Sequence, residues 1–172
     1  SNIQMVALKN SGIARSLYPV LGASPMGDLD VLVARKDFRK AHKILINEGY
    51  TLKFRSELEA EDLASAELGG GAEYLVTLRS GKKLWFELQW RPISGRWIRI
   101  EKEPTAKDLI KRANPIKDSD CLLLSPEDNL LQVSLHTAKH TYVRAPGFRL
   151  HTDVDRVVRS NNIDWDKFIQ MV

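Results

Sequence analysis

Two carboxylates lie two positions apart in a short apolar segment, Gly27-Asp28-Leu29-Asp30-Val31-Leu32-Val33. Side chains alternate between faces along a β-strand, so a strand here places Asp28 and Asp30 on one face and the aliphatic residues on the other. Two like charges side by side are costly unless a cation neutralises them, and Mg²⁺ binds through one or two carboxylates plus substrate phosphates. The spacing therefore indicates a metal-dependent site for phosphoryl or nucleotidyl transfer. A solvated surface strand is the alternative.

A third carboxylate, Glu87, belongs to the second strand of a predicted hairpin. The hairpin pairs residues 73–78 with residues 83–90 across the turn at Ser80-Gly81. If this strand lies beside the Asp28 strand with the acidic faces matched, three carboxylates converge, and Glu87 completes the metal site or acts as general base. The alternative is a charged residue on the solvent face of an antiparallel sheet.

The elements that position these carboxylates predict an α/β or α+β fold, with a small mixed sheet flanked by helices. We divide the chain into a sheet domain at 1–100 and a C-terminal helical region at 101–172, which we expect to be truncated because it ends within a predicted helix. The expected elements of the first part are a helix at 3–17, a helix capped by Asp37 and ending at Glu48-Gly49, a strand at 50–54, an acidic helix or loop at 57–68 and a flexible, exposed glycine turn at 69–71.

The helical region has two clear helix starts and one histidine pair. Ser125, followed by Pro126 and then Asp128, is typical of a helix N-terminus, and Asp164 is a candidate cap for the last helix. His136 and His140 lie four positions apart on the Ser125 helix, a spacing that zinc sites use, but no third ligand is evident. The alternative is that both histidines are structural and pack against Asp153 on the next helix.

Composition restricts the class of protein. The chain has 172 residues, 43% of them hydrophobic and 28% charged, as in an ordinary globular protein. It contains no apolar run long enough to span a bilayer and no recognisable signal peptide, so no membrane partner is expected. Its single cysteine, Cys121, excludes an internal disulfide, which favours a reducing compartment. We therefore expect a cytoplasmic protein.

The net charge of +4 suits an anionic partner, but the basic residues are spread along the chain without a dense block. Nucleotide phosphates match this charge as well as nucleic acid does. One basic and aromatic cluster, made of Arg91, Arg96, Trp97 and Arg99, could bind a nucleic acid strand. We favour packing at a domain edge instead, because Glu101 and Glu103 follow at once.

The ordered motifs resemble the bacterial nucleotidyltransferase-like proteins of the DNA polymerase β superfamily, in particular an uncharacterised branch of it. The resemblance begins at Leu8-Lys9-Asn10-Ser11-Gly12 and includes Pro25-Met26-Gly27-Asp28-Leu29-Asp30 and Phe86-Glu87-Leu88-Gln89-Trp90. The matching blocks are residues 8–14, 17–19, 25–33, 41–50, 86–90, 124–128, 136–140 and 163–166.

The resemblance implies a Mg²⁺- or Mn²⁺-dependent nucleotidyltransferase, which transfers a nucleoside monophosphate from a nucleoside triphosphate to a hydroxyl group on a small molecule or a protein. Asp28, Asp30 and Glu87 then match the catalytic metal ligands. The implied nucleotide-binding residues are Lys9, Asn10, Ser11, Gly12 and Ser24, and the implied cleft residues are His136, Lys139, His140 and Asp153.

Two residues depart from the family pattern. Asn10 stands where a glycine allows phosphates to approach the backbone, and Ser24 stands where a basic residue is common. These departures leave open a second interpretation, in which the chain is a catalytically inactive binding or regulatory module with the same fold.

Overall fold

The structure is a computed structural model and describes residues 2–20, 22–24, 26–56, 62–93, 98–143 and 148–172. Three groups of predictions lie outside these residues: Pro25 of the acidic motif, residues 57–61 of the acidic helix or loop, and Arg96 and Trp97 of the basic cluster. Among the described residues, no helix combines the length and the apolar character needed to cross a bilayer.

Within the described ranges, seven strands form one mixed sheet. The strands are β1 (Met5–Ala7), β2 (Asp28–Val33), β3 (Thr51–Leu52), β4 (Gly71–Thr77), β5 (Lys83–Gln89), β6 (Asn114–Pro115) and β7 (Cys121–Leu123). Their order across the sheet is β3-β4-β5-β2-β1-β7-β6. Strand β2 runs parallel to β5, and β1 runs parallel to β7, while the remaining neighbours are antiparallel.

The same ranges contain seven α-helices, which confirms the predicted fold class of a mixed sheet flanked by helices. They are α1 (Lys9–Ser16), α2 (Phe38–Asn47), α3 (Leu63–Gly69), α4 (Ala106–Arg112), α5 (Pro126–Val143), α6 (Phe148–Ser160) and α7 (Trp165–Met171). Short 3-10 turns lie at Arg35–Asp37 and Ile100–Lys102. The sheet itself crosses residue 100, because β6 and β7 join it at β1.

Apolar packing occurs on both faces of the sheet. On one face, Val31 of β2 and Leu88 of β5 belong to a core that also contains Phe38 of α2. On the other face, Leu32 of β2 packs in a core with Leu109 of α4. Because side chains alternate, Asp28 and Asp30 share the face of Leu32. A third core joins α1 to the C-terminal helices through Ile13, Leu130, Val133, Val157 and Ile163.

The predicted helix at 3–17 is wrong in its first part. Met5–Ala7 forms β1, which pairs with β2 on one side and with β7 on the other, and the helix begins only at Lys9. Three residues carry too little local pattern to indicate a strand, and pairing on both edges overrides their helical appearance.

The glycine segment at 69–71 is also not the flexible, exposed turn that the sequence predicts. Gly70 is buried and ends α3 with φ of 104°, and Gly71 begins β4. A Cβ atom on Gly70 would lie 2.5 Å from the side chain of Arg91. The glycine is thus needed for its left-handed conformation and for close packing.

The predicted helix ends were mostly confirmed. Ser125 caps α5 by accepting a hydrogen bond from the amide of Asp128 at 3.3 Å, and Asp164 caps α7 by accepting one from the amide of Lys167 at 3.0 Å. Gly49 follows α2 with φ of 85°, as expected for a left-handed stop. Asp37 precedes α2, but its side chain makes no capping hydrogen bond to the described residues, so that part of the prediction was wrong.

Candidate active site

Strand register brings the predicted carboxylates together. Asp30 of β2 lies opposite Glu87 of β5 in the parallel pair, and Glu87 lies opposite Glu73 of β4 in the antiparallel pair. Residues opposite each other in register project to the same face, and Asp28 shares that face with Asp30. The predicted adjacency of the Asp28 and Glu87 strands is therefore confirmed, while metal binding by these residues stays a prediction.

Lys9 is the cation between the two inner carboxylates, those of Asp30 and Glu87. Its Nζ donates to Oδ1 of Asp30 at 2.6 Å and to Oε2 of Glu87 at 3.3 Å. The exposed fractions of the side chains are 18% for Lys9, 5% for Asp30 and 16% for Glu87. Charged groups this far from water need a partner, and the Lys9 ammonium supplies it.

The backbone of Lys9 is held as firmly as its side chain. Its φ of 49° lies in the left-handed region, which is uncommon for a residue other than glycine. Its amide donates to Oε1 of Gln132 on α5 at 3.1 Å, and the side-chain amide of Gln132 donates to the carbonyl of Pro92 at 3.2 Å. This conformation starts α1 so that the lysine side chain turns back toward the sheet.

Arg55 forms ion pairs with the two outer carboxylates, those of Asp28 and Glu73. Its guanidinium donates to Oδ2 of Asp28 at 2.7 Å and to Oε1 of Glu73 at 2.9 Å, and its backbone amide donates to Oε2 of Glu73 at 2.6 Å. The same guanidinium lies 5.1 Å from the ring centroid of Trp85, within cation-π range. Its side chain is 37% exposed, so it faces solvent at the edge of the acidic cluster, which consists of Asp28, Asp30, Glu73 and Glu87.

The two inner carboxyls titrate as a pair around Lys9. Burial raises the pKa of Asp30 to about 8 against the opposing charge of Lys9, and a hydrogen bond with Glu87 also raises it. Burial also raises the pKa of Glu87, but the charge of Lys9 and contacts with Asp30, Lys9 and Gln89 lower it more, to about 2. Burial lowers the pKa of Lys9, yet Glu87 and Asp30 together hold it above its ordinary value. The two carboxyls therefore do not titrate independently of each other or of Lys9.

The two departures from the family pattern contact each other. Ser24 is buried and its hydroxyl donates to Oδ1 of Asn10 at 2.7 Å. The next residue, Ser11, accepts a hydrogen bond at Oγ from the amide of Asp30 at 2.8 Å. Asn10 and Ser24 thereby tie the segment before β2 to the start of α1, and Ser11 ties that start to the acidic strand.

Gly12 has a packing role in this turn. A Cβ atom there would lie 2.7 Å from the carbonyl oxygen of Ala7 and 2.8 Å from Cδ1 of Leu123. The amides of Ser11 and Gly12 both donate to the carbonyl of Leu8, at 3.0 and 3.4 Å. These two amides already have an acceptor within the chain. Nucleotide binding by residues 9–12 therefore stays a prediction, and it would depend on their side chains.

A family model described as an uncharacterised nucleotidyltransferase matches residues 1–172. The chain belongs to this nucleotidyltransferase family. A comparison with curated proteins found no significant match. Membership confirms the family resemblance seen in the sequence.

In this nucleotidyltransferase fold, His136 of α5 lies within electrostatic range of Lys9 and Glu87. Its ring centroid is 4.4 Å from that of His140. Burial, with smaller contributions from the charges of Lys9, His140 and Lys139, lowers the pKa of His136 to about 3 against the opposing charge of Glu87. The imidazole is therefore neutral at physiological pH. A cleft role for His136, Lys139 and His140 agrees with this position and stays a prediction.

Asp153 has a structural hydrogen bond. It is buried on α6 and accepts a hydrogen bond from the hydroxyl of Tyr18 at 2.9 Å. This contact joins α6 to the segment after α1. A role for Asp153 in the cleft stays a prediction.

The donor atoms fit a hard divalent cation, although the metal site is not preassembled. Among the described residues, no three His, Cys, Asp or Glu side chains converge into a ready metal site. Asp28 turns toward Arg55, and Asp30 turns toward Lys9. Mg²⁺ takes oxygen ligands, usually one or two carboxylates together with substrate phosphates and water. Asp28 and Asp30 meet that requirement.

Three residues of the site were missed by sequence reasoning. Glu73 could have been found from the hairpin register, since it pairs with Glu87. Gln89 follows on the same face of β5 and is fully buried, and its amide has no partner of good hydrogen-bond geometry among the described residues. Arg55 carries no sequence signal, because its partners Asp28 and Glu73 are 27 and 18 positions away.

The basic cluster does not act as one cationic surface in its described part. Arg91 is ion-paired with Glu103, and its side chain is only 13% exposed. A neutralised, buried arginine agrees with the packing interpretation rather than with a nucleic-acid interface.

Proposed function

We propose that the chain is a Mg²⁺-dependent nucleotidyltransferase that transfers a nucleoside monophosphate from a nucleoside triphosphate to a hydroxyl group. The observation that carries the proposal is the register of Asp30 with Glu87 on parallel neighbouring strands, with Asp28 on the same face. In the reaction, the acceptor hydroxyl oxygen bonds to the α-phosphorus as the bond from that phosphorus to pyrophosphate breaks, and the hydroxyl proton passes to water.

Asp28 and Asp30 are the proposed metal ligands, with triphosphate oxygens completing the coordination. A bound Mg²⁺ neutralises charge on the phosphates and orients them, and Mn²⁺ can replace it. Asp28 and Asp30 already share one face of β2, which reduces the rearrangement that binding requires.

Glu87 is proposed to contribute negative charge rather than to act as the general base. Lys9 contacts its carboxylate and helps to lower its pKa to about 2. A carboxylate with so low a pKa is a weak base at neutral pH. Of the two roles predicted from the sequence, the geometry thus favours that of a ligand or charge partner.

Phosphate contacts are proposed to come from side chains at the edge of the cluster. Arg55 is partly exposed beside Asp28, and a guanidinium matches the geometry of phosphate oxygens. The backbone amides of Ser11 and Gly12 already donate to the Leu8 carbonyl and do not offer hydrogen bonds to phosphate. The polar side chains of Asn10 and Ser24, which contact each other at the start of α1, are the proposed alternative. His136, neutral and close to Glu87, can hydrogen-bond an acceptor hydroxyl.

A second candidate function is a non-catalytic binding or regulatory module. The observation that favours it is the internal pairing of the cluster, because each of the four carboxyl groups contacts Lys9 or Arg55 without a metal. On this hypothesis the basic side chains stabilise the fold, and triphosphate binding does not need a divalent cation.

Calorimetric titration with a non-hydrolysable nucleoside triphosphate separates the two functions. For a nucleotidyltransferase we expect binding that requires Mg²⁺ and weakens at least about tenfold in Asp30→Asn, equivalent to about 1.4 kcal/mol. The matched control is Asp155→Asn, which removes an exposed carboxylate of α6 and should bind as the wild type does. Binding that ignores both Mg²⁺ and Asp30→Asn supports the module instead.

A further inference from the structure

The position of the Lys9 ammonium limits how many metal ions the acidic cluster can hold. Nucleotidyl-transfer sites with two metal ions place them about 3.5–4 Å apart, bridged by shared carboxylates. In this chain the oxygens on the inner side of Asp30 and Glu87 already contact Nζ of Lys9, at 2.6 and 3.3 Å. A second divalent ion on that side would have to replace the ammonium at these oxygens, because two cations held there together would repel each other.

The structure also holds Lys9 in place from its backbone. Its amide is bonded to Gln132 of α5, and Gln132 is in turn bonded to the carbonyl of Pro92, just after β5. Lys9 is therefore fixed between the helix and the strand that carries Glu87. Displacing its buried ammonium would leave Glu87 without a counter-charge, which is costly away from water.

Asp28 differs from Asp30 and Glu87 because its cationic partner is partly exposed to solvent. Its partner is Arg55, whose side chain is 37% exposed and can turn to solvent or to a phosphate. The outer side of the cluster is thus the side on which a divalent ion can replace a cationic side chain.

We infer that Lys9 is a resident cation that takes the place of a second metal ion, so that the site binds a single divalent ion through Asp28 and Asp30. This inference rests on the proposed function, because it assumes that the carboxylates bind metal at all. Lys9 is then a positioning residue that fixes Glu87 and the inner side of Asp30.

Counting bound Mn²⁺ tests the inference without measuring activity. Mn²⁺ is titrated into the wild-type chain in the presence of one equivalent of a non-hydrolysable nucleoside triphosphate, and bound ions are counted by electron paramagnetic resonance. We expect one bound ion in the wild type and in Lys9→Arg, which keeps the cation. We expect two ions in Lys9→Met, with the spin coupling of a close pair. Lys40→Met, an exposed change on α2, is the control and should bind one.

Each outcome decides a different point. Two ions in the wild type, or one in a folded Lys9→Met variant, overturn the inference and leave the proposed function standing. No ion in the wild type overturns both. If circular dichroism shows that Lys9→Met does not fold, Lys9→Gln replaces it, and the wild-type count still decides between one ion and two.

Discussion

Asp30 and Glu87 can lie side by side in a mostly buried position because a lysine contacts both of them. The alternation of side chains along a strand was enough to place Asp28 and Asp30 on one face from the sequence. The position of Glu87 was predictable only on the condition that its strand adjoins β2, which the register confirms. The partner of both carboxylates was not predictable, because Lys9 is 21 positions from Asp30 and 78 from Glu87. The family resemblance implied nucleotide binding by Lys9, which stays a prediction.

At the residue scale, His136 gives a prediction for the pH dependence of stability. Its pKa is about 3 in the folded chain and near 6.5 when unfolded, so below pH 6.5 the unfolded state binds a proton that the folded state excludes. The stability present above pH 6.5 is therefore lost as the pH falls toward 3, by at most about 1.4 kcal/mol per pH unit. Between pH 7.5 and pH 5, we expect the free energy of unfolding to fall by about 1–2 kcal/mol less in His136→Gln than in the wild type, as measured by urea unfolding.

The control for this prediction is His151→Gln, which changes an exposed histidine on α6 and should follow the wild-type pH curve. An NMR titration gives a direct second measurement. A His136 ring resonance that titrates near pH 6.5 would contradict the buried, neutral imidazole.

At the scale of elements, local patterns predicted those helices and strands whose own sequence contains a cap, a turn or an alternating pattern. The α5 start at Ser125, the α7 start at Asp164 and the β4–β5 hairpin could all be predicted from caps, turns and alternation. Strand β1 could not, because its three residues become a strand only by pairing with β2 and β7. The buried glycine after α3 was misread for the same reason, since its neighbour Arg91 is distant in sequence.

Gly12 tests how tightly α1 is held against the sheet. In Gly12→Ala the new methyl group meets the carbonyl of Ala7 and the side chain of Leu123, so we expect about 1–3 kcal/mol of destabilisation in urea unfolding. Gly69→Ala is the matched control, because a Cβ atom there meets nothing within 4 Å. Its stability should change by less than about 1 kcal/mol, in either direction. Equal stability of the two variants would show that α1 does not pack as described.

At the scale of the whole molecule, strand order was the property least accessible from the sequence. Residue patterns mark where strands occur, but they do not state which strands become neighbours. The family resemblance, and not the residues alone, implied that β2 and β5 are neighbours across more than fifty residues, and their parallel direction was not predicted. The joining of β6 and β7 to the sheet was not anticipated, because the sequence presents that region as helical.

Glu127 tests how the last helix is attached to the rest of the molecule. Its carboxylate is buried on α5 and accepts hydrogen bonds from the amide of Asp164 at 3.1 Å and from Nζ of Lys167 at 2.5 Å. Glu127→Gln weakens both contacts, so we expect a loss of about 1–2 kcal/mol in unfolding free energy and faster amide exchange in α7. Glu48→Gln, an exposed change after α2, should alter neither. Unchanged exchange in α7 would refute this attachment.

The central claim is that the acidic face of β2 and β5 binds a metal-triphosphate complex. A crystal structure with Mn²⁺ and a non-hydrolysable nucleoside triphosphate, using the anomalous signal of the metal, tests it most directly. We expect one Mn²⁺ between the carboxylates of Asp28 and Asp30, with triphosphate oxygens completing its coordination and Lys9 still in contact with Glu87. Metal and triphosphate bound away from these carboxylates, or triphosphate bound without metal, would contradict it.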